Sequence, residues 1–139
     1  MTLTELVLKF QNIITPIANI ETFVFDDLSA INENRNKHYP VFLFKPPNSN
    51  IPDWNKPYTI YSIEFFILDL HKQNDTRELK EVWDANSLLA KEVINDIKED
   101  TDNFAILGAV NEERGHFQYN DKLVGNRYTF DLRVFNCNV

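Results

Sequence analysis

The chain has 139 residues, enough for one domain with one sizeable core, and its 14 basic and 21 acidic side chains give a net charge of −7. That balance repels phosphate in bulk and argues against a broad nucleic-acid-gripping surface. The lone cysteine, Cys137, excludes an intrachain disulfide framework, and no run reaches the ~20 consecutive apolar residues needed to span a bilayer.

Leu3, Leu6, Val7, Phe10, Ile13, Ile14 and Ile17 recur at helical spacing and predict an amphipathic N-terminal helix. Thr2 and Glu5 fit a reciprocal capping box, and Pro16 ends or kinks the helix near Thr15. This start lacks the basic residues and unbroken apolar core of a signal peptide, so a cytoplasmic product is expected. Ile20–Phe25 reads as a first strand. The polar stretch from Asp26 to Lys37 reads as a loop, and His38–Phe44 as a second, nearly all-apolar strand. Pro46 and Pro47 stop that strand, because proline cannot donate to a ladder. Lys45 to Pro57 holds four prolines and Trp54, the pattern of a stiff extended loop.

Tyr58–Leu70 reads as one long strand that is apolar on both faces. Tyr61, Ile63, Phe65 and Ile67 share one face; Ile60, Phe66, Leu68 and Leu70 share the other with Ser62 and Glu64. A small antiparallel sheet needs only one apolar face, so the second requires its own cover. The second and third strands are expected to form a long hairpin, Tyr39 to Leu70, that projects from the sheet with the proline-rich loop as its tip.

Asp75, with Glu78 three residues on, is the expected cap of a second helix. Its apolar stripe is Leu79, Val82, Trp83, Leu89, Ala90, Val93 and Ile97, and Asn86 falls on the same stripe, where partial exposure is expected. Phe104–Val110 and Gly115–Tyr119 read as a fourth and a fifth strand, separated by a turn at Asn111–Arg114. The closing strand, Arg127–Phe135, alternates Tyr128, Phe130, Leu132 and Val134 inward with Arg127, Thr129, Asp131 and Arg133 outward. The order α-β-β-β-α-β-β-β indicates an α+β fold across residues 1–139: one antiparallel or mixed sheet of about six strands, with two amphipathic helices on one face.

Catalytic chemistry finds little footing. His38, His71 and His116 show no metal-ligand spacing, and Cys137 near the chain end is poorly placed as a nucleophile. Pro52-Asp53 followed by Glu64 approaches a metal-nuclease pattern, but Phe66 occupies the slot where lysine belongs. No glycine-rich loop precedes a helix, so a phosphate cradle is missing. No catalytic, cofactor-binding or metal-ligating residue is therefore assigned. Trp54 is the foremost contact candidate, since tryptophan is enriched at binding hot spots. Arg35 and Lys37, in the polar loop, are solvated or reach a neighbouring subunit. Phe66, Leu68 and Leu70, the apolar end of the second face, are read as a subunit contact.

The N-terminal helix, the His38-Tyr39-Pro40-Val41 lead-in to an apolar strand, the proline-tipped hairpin and the central helix form one pattern. It closes with Gly125-x-Arg127-Tyr128-x-Phe130-x-Leu132-x-Val134. Together they resemble the tail-terminator and tail-completion proteins of tailed bacteriophages, and similar neck-ring proteins of crAss-like phages. The resemblance rests on architecture over nearly the whole chain. It implies a non-enzymatic structural virion protein, assembled in the host cytoplasm into a ring at the head-to-tail junction, often six- or twelvefold. The implied partners are other copies of the chain and the phage's neck, portal or tail proteins. Genomic DNA would pass through the ring without specific binding, and no cofactor or membrane is implied. The alternative is a small non-viral α+β adaptor or ligand-binding module without catalysis.

Overall fold

The computed structural model describes residues 1–26, 38–50, 57–72, 74–117 and 123–135. Within them run α1 (Leu3–Ile14), β1 (Thr22–Phe25), β2 (Val41–Phe44), β3 (Asn48–Asn50), β4 (Tyr58–Leu70), α2 (Leu79–Glu99), β5 (Phe104–His116) and β6 (Leu123–Phe135). Among the described residues the class is α+β, with two helices and an open, mixed six-strand sheet.

Local chemistry sets the helix ends. The Thr2 hydroxyl accepts from the Glu5 N–H at 3.2 Å, and α1 stops at Ile14, two residues before Pro16. The second helix begins later than Asp75 suggests. Glu78 is its N-cap and exchanges capping bonds with Glu81. Asp75 holds Arg77 instead, accepting from its backbone N–H at 2.9 Å and its guanidinium at 2.8 Å. Arg77 also reaches Asp69 at 3.1 Å, which ties the end of β4 to the approach to α2.

The sheet order is β1-β2-β4-β6-β5, with β1 parallel to β2 and the remaining pairs antiparallel. β3 pairs with Ile60–Ser62 of β4, on the edge that β2 pairs further along. Two features separate this order from the one read in the sequence. Asn48–Asn50 is a strand, not part of a loop. Asn111–Arg114 is not a turn but continues β5, which runs unbroken to His116. Those polar residues lie on an edge strand facing solvent, so their composition imitates a turn while the ladder to β6 keeps them extended. The observed order is thus α-β-β-β-β-α-β-β, and β4 sits inside the sheet between β2 and β6 rather than on a projecting arm.

Helices cover one face. Leu6, Phe10 and Ile14 of α1 and Leu89, Ala90, Val93, Ile94 and Ile97 of α2 pack with Tyr61, Ile63, Phe65 and Ile67 of β4. Stacked rings cross this face from strand to strand: Phe23 on Phe42 at 5.8 Å, Phe42 on Phe65 at 4.7 Å, and Phe65 on Tyr128 at 5.0 Å. Such pairs stabilise a sheet beyond their buried area. Asn86 is fully buried here, and its side-chain amide donates to the Ile67 carbonyl at 3.3 Å; that partner makes burial tolerable where partial exposure was expected. Gly125 is required in β6, since a Cβ there would lie 2.3 Å from the Ile67 carbonyl oxygen.

Candidate interaction surface at the open strand edge

The second face of β4 divides into two halves. At one end Val41, Leu43, Phe66, Leu68 and Leu123 form a small buried cluster, with Val24, Tyr39, Leu70 and Phe117 packed against it. The Phe117 ring meets Phe66 edge-on at 5.2 Å. Phe66 is 4% exposed and Leu68 fully buried, so neither offers a free contact surface, contrary to the expectation from sequence. The physical reason is that β2 also alternates. Its Val41 and Leu43 side chains join theirs, and the chain closes this apolar patch itself. Leu70 is half-buried at the cluster's margin. Trp54, Arg35 and Lys37 lie outside the described residues.

The other half of that face is polar and open. Glu64 pairs with Arg127 at 2.6 Å and Lys45 at 3.5 Å, and Arg127 also reaches Glu113 at 3.0 Å. Ser62 donates to Asp131 at 3.4 Å, and the Arg133 guanidinium lies 4.6 Å from the Tyr58 ring centre. These contacts link β4 to β6, to β5 and to Lys45 beyond β2, and form a polar surface.

The unfinished part of the molecule is at the end of the sheet. Among the described residues β1 and β5 end the strand order, and only β5 is long, at 13 residues. A bulge between Leu107 and Asn111 breaks its register with β6. Gly108 sits in that bulge at φ 71°, a conformation that other residues reach at a cost. There the edge strand and α2 leave a groove of about 610 Å³. Ala90, Ile94, Ile106 and Val110 give it an apolar floor, while Lys91 and Lys98 stand along the helix rim. Neither lysine forms an ion pair with another described residue.

One end of the groove is fixed by polar contacts. Glu112 accepts from the Tyr128 hydroxyl at 2.6 Å and from the Ser87 hydroxyl of α2, and pairs with Arg114 at 2.8 Å. Behind them the Asn126 amide donates to the Trp83 carbonyl and to the Tyr128 oxygen, both at 3.1 Å. Burial pushes the Tyr128 phenol well above its ordinary value, and the Glu112 carboxylate pushes it further. Burial pushes the Glu112 carboxyl up, but the hydroxyls of Ser87 and Tyr128 and the charge of Arg114 outweigh it and leave it below the ordinary value. The network locks β5 to α2 and fixes the groove's width. No protein-family model and no curated protein matches this chain. The chemistry available in the groove is recognition: an open strand edge, an apolar floor and two cations.

The sequence reading missed this surface because it broke β5 in two. The available signal was Gly108 inside an apolar run, which marks a bulge or a close backbone approach.

Proposed function

We propose that this chain is a structural virion protein that forms a ring at the phage head-to-tail connector, surrounds the DNA channel and joins portal-side to tail-side components. The observation that carries this reading is the open sheet with two unlike ends. β1 presents half-buried Phe23 and Phe25, whereas β5 presents a long edge beside a groove. A contact between unlike surfaces, repeated by rotation, closes into a ring. Closure would also remove the aggregation hazard of exposed strand edges. The net charge of −7 suits a channel wall along which DNA slides without adhering. The groove beside β5 favours a second reading, a non-viral adaptor that binds an extended ligand without catalysis.

Light scattering on the purified chain, alone and mixed with purified phage connectors, separates the two. A ring component gives a mass well above a dimer or joins the connector. A stable monomer that joins no connector would leave the adaptor reading.

A further inference from the structure

We infer that a second groove, between α2 and the segments leading into β1 and β2, binds an arginine side chain of a partner chain through Glu21, Glu92 and the buried Asn86 amide oxygen. This groove lies along the other flank of α2 from the β5 edge and does not depend on ring closure.

Helical spacing builds one wall. Ala85, Leu88, Leu89 and Glu92 fall at i, i+3, i+4 and i+7 of α2 and share a flank. Asn19, Glu21, Tyr39 and Pro40 line the groove from the segments before β1 and β2, and Asp69 and Arg77 complete the lining. The Glu21 N–H donates to the Pro40 carbonyl at 3.0 Å, which fixes the backbone that carries this carboxylate. The volume, about 660 Å³, is in the range of small-ligand sites and exceeds what one side chain fills.

The polar groups left over in the lining are acceptors. Asn86 is 1% exposed; its Nδ2 donates to the Ile67 carbonyl, and its Oδ1 accepts from no described residue. Among the described residues the partnerless side-chain oxygen sealed from solvent is Asn126 Oδ1; Asn86 Oδ1 is not sealed and opens into the groove that Asn86 lines. An acceptor held so deep calls for a donor. Glu21 and Glu92 are exposed and form no ion pair with another described residue. Arg77, the cation among the described lining residues, is engaged at every nitrogen: Nε with Asp75, Nη1 with Asp69, and Nη2 with Asp75 and the Leu70 carbonyl. The groove therefore suits a cation that carries several donors.

Among the described residues no three His, Cys, Asp or Glu side chains come together to hold a metal ion. Acceptors spread over two walls fit a guanidinium, with five N–H donors in a planar fork, better than an ammonium point charge. Leu88, 67% exposed, stands beside them with Leu89 and offers apolar surface to a methylene stem and to the residues flanking it. That surface, and a volume larger than one side chain, favour an arginine presented by a polypeptide.

The test titrates the full-length chain with acetyl-Ala-Arg-Ala-amide and follows backbone amide NMR shifts. Saturable shifts are expected at residues 19–21, 39 and 85–92, and binding should weaken as salt is raised. E21Q/E92Q changes two exposed side chains and should weaken binding about tenfold. The tripeptide with citrulline, the neutral isostere, should lose about as much, and the lysine tripeptide about threefold. Free arginine should bind more weakly than the tripeptide. Absence of saturable shifts, equal binding of the citrulline peptide, or unchanged binding by E21Q/E92Q overturns the site. Equal binding of the lysine peptide overturns the guanidinium assignment, and free arginine that binds as tightly as the tripeptide overturns a partner chain as its source.

Discussion

The two faces of β4 contain similar apolar side chains and are finished differently. On one, Phe65 lies under two helices within rings that run from Phe23 to Tyr128. On the other, its neighbour Phe66 lies in a cluster of five buried residues, and a few residues away the face becomes polar at Ser62 and Glu64. An apolar strand face therefore does not by itself mark a subunit contact. The chain closes its surplus apolar surface where Val41 and Leu43 are available. Among the described residues it leaves β5 at the end of the strand order, paired on one side only.

Substituting the two adjacent phenylalanines tests this contrast directly. Phe65→Ala should cost ~4–5 kcal/mol in urea unfolding, because helices and sheet hold the cavity open on every side. Phe66→Ala should cost ~3 kcal/mol, since a small cluster at the sheet's margin collapses more easily. If Phe66→Ala left monomer stability unchanged and abolished assembly, the second face would be a subunit contact after all. A smaller effect, ~1 kcal/mol at neutral pH, is expected for Tyr128→Phe, which removes a bond to Glu112. Its pH dependence has a definite sign. The folded phenol is raised above its ordinary value of 10.0, so the unfolded chain loses that proton first and stability falls as pH rises beyond about 10. Tyr128→Phe should flatten that alkaline loss, leaving a residual slope from Tyr39 and Tyr61, both raised chiefly by burial. Arg127→Ala should change stability by only ~0.2–1 kcal/mol, less at high salt, because its pairs with Glu64 and Glu113 lie on the solvated half of the second face. A loss above ~2 kcal/mol there would mean that this half is not a free surface.

The helix-covered core was legible because alternation and helical period depend only on which side chain follows which. Leu6, Phe10 and Ile14, and Tyr61, Ile63, Phe65 and Ile67, all fall where their spacing puts them. The strand order was not legible, for a reason that applies to edges generally. Asn111, Glu112, Glu113 and Arg114 have turn composition, yet they are held extended by pairing with β6, the next strand, and composition does not record that pairing. The same holds for Asn48–Asn50, a strand only because β4 runs alongside. Phe66 and Leu68 were misread because the Val41 and Leu43 side chains of β2, and Phe117 beyond β5, close over them, and that cover was not counted when the face was read as open. The groove is a property of how β5 lies beside α2. It became visible only with Gly108 in its bulge and Lys91 and Lys98 placed along the rim.

The claim that the β5 edge is completed by another chain is tested most directly by amide hydrogen exchange across residues 108–114, followed as concentration is raised and mass is measured in parallel. Protection of these amides should rise together with mass, while residues 123–130, inside the sheet at all concentrations, stay protected throughout. Mass that rises while 108–114 continue to exchange freely would place the subunit contact elsewhere and contradict the claim.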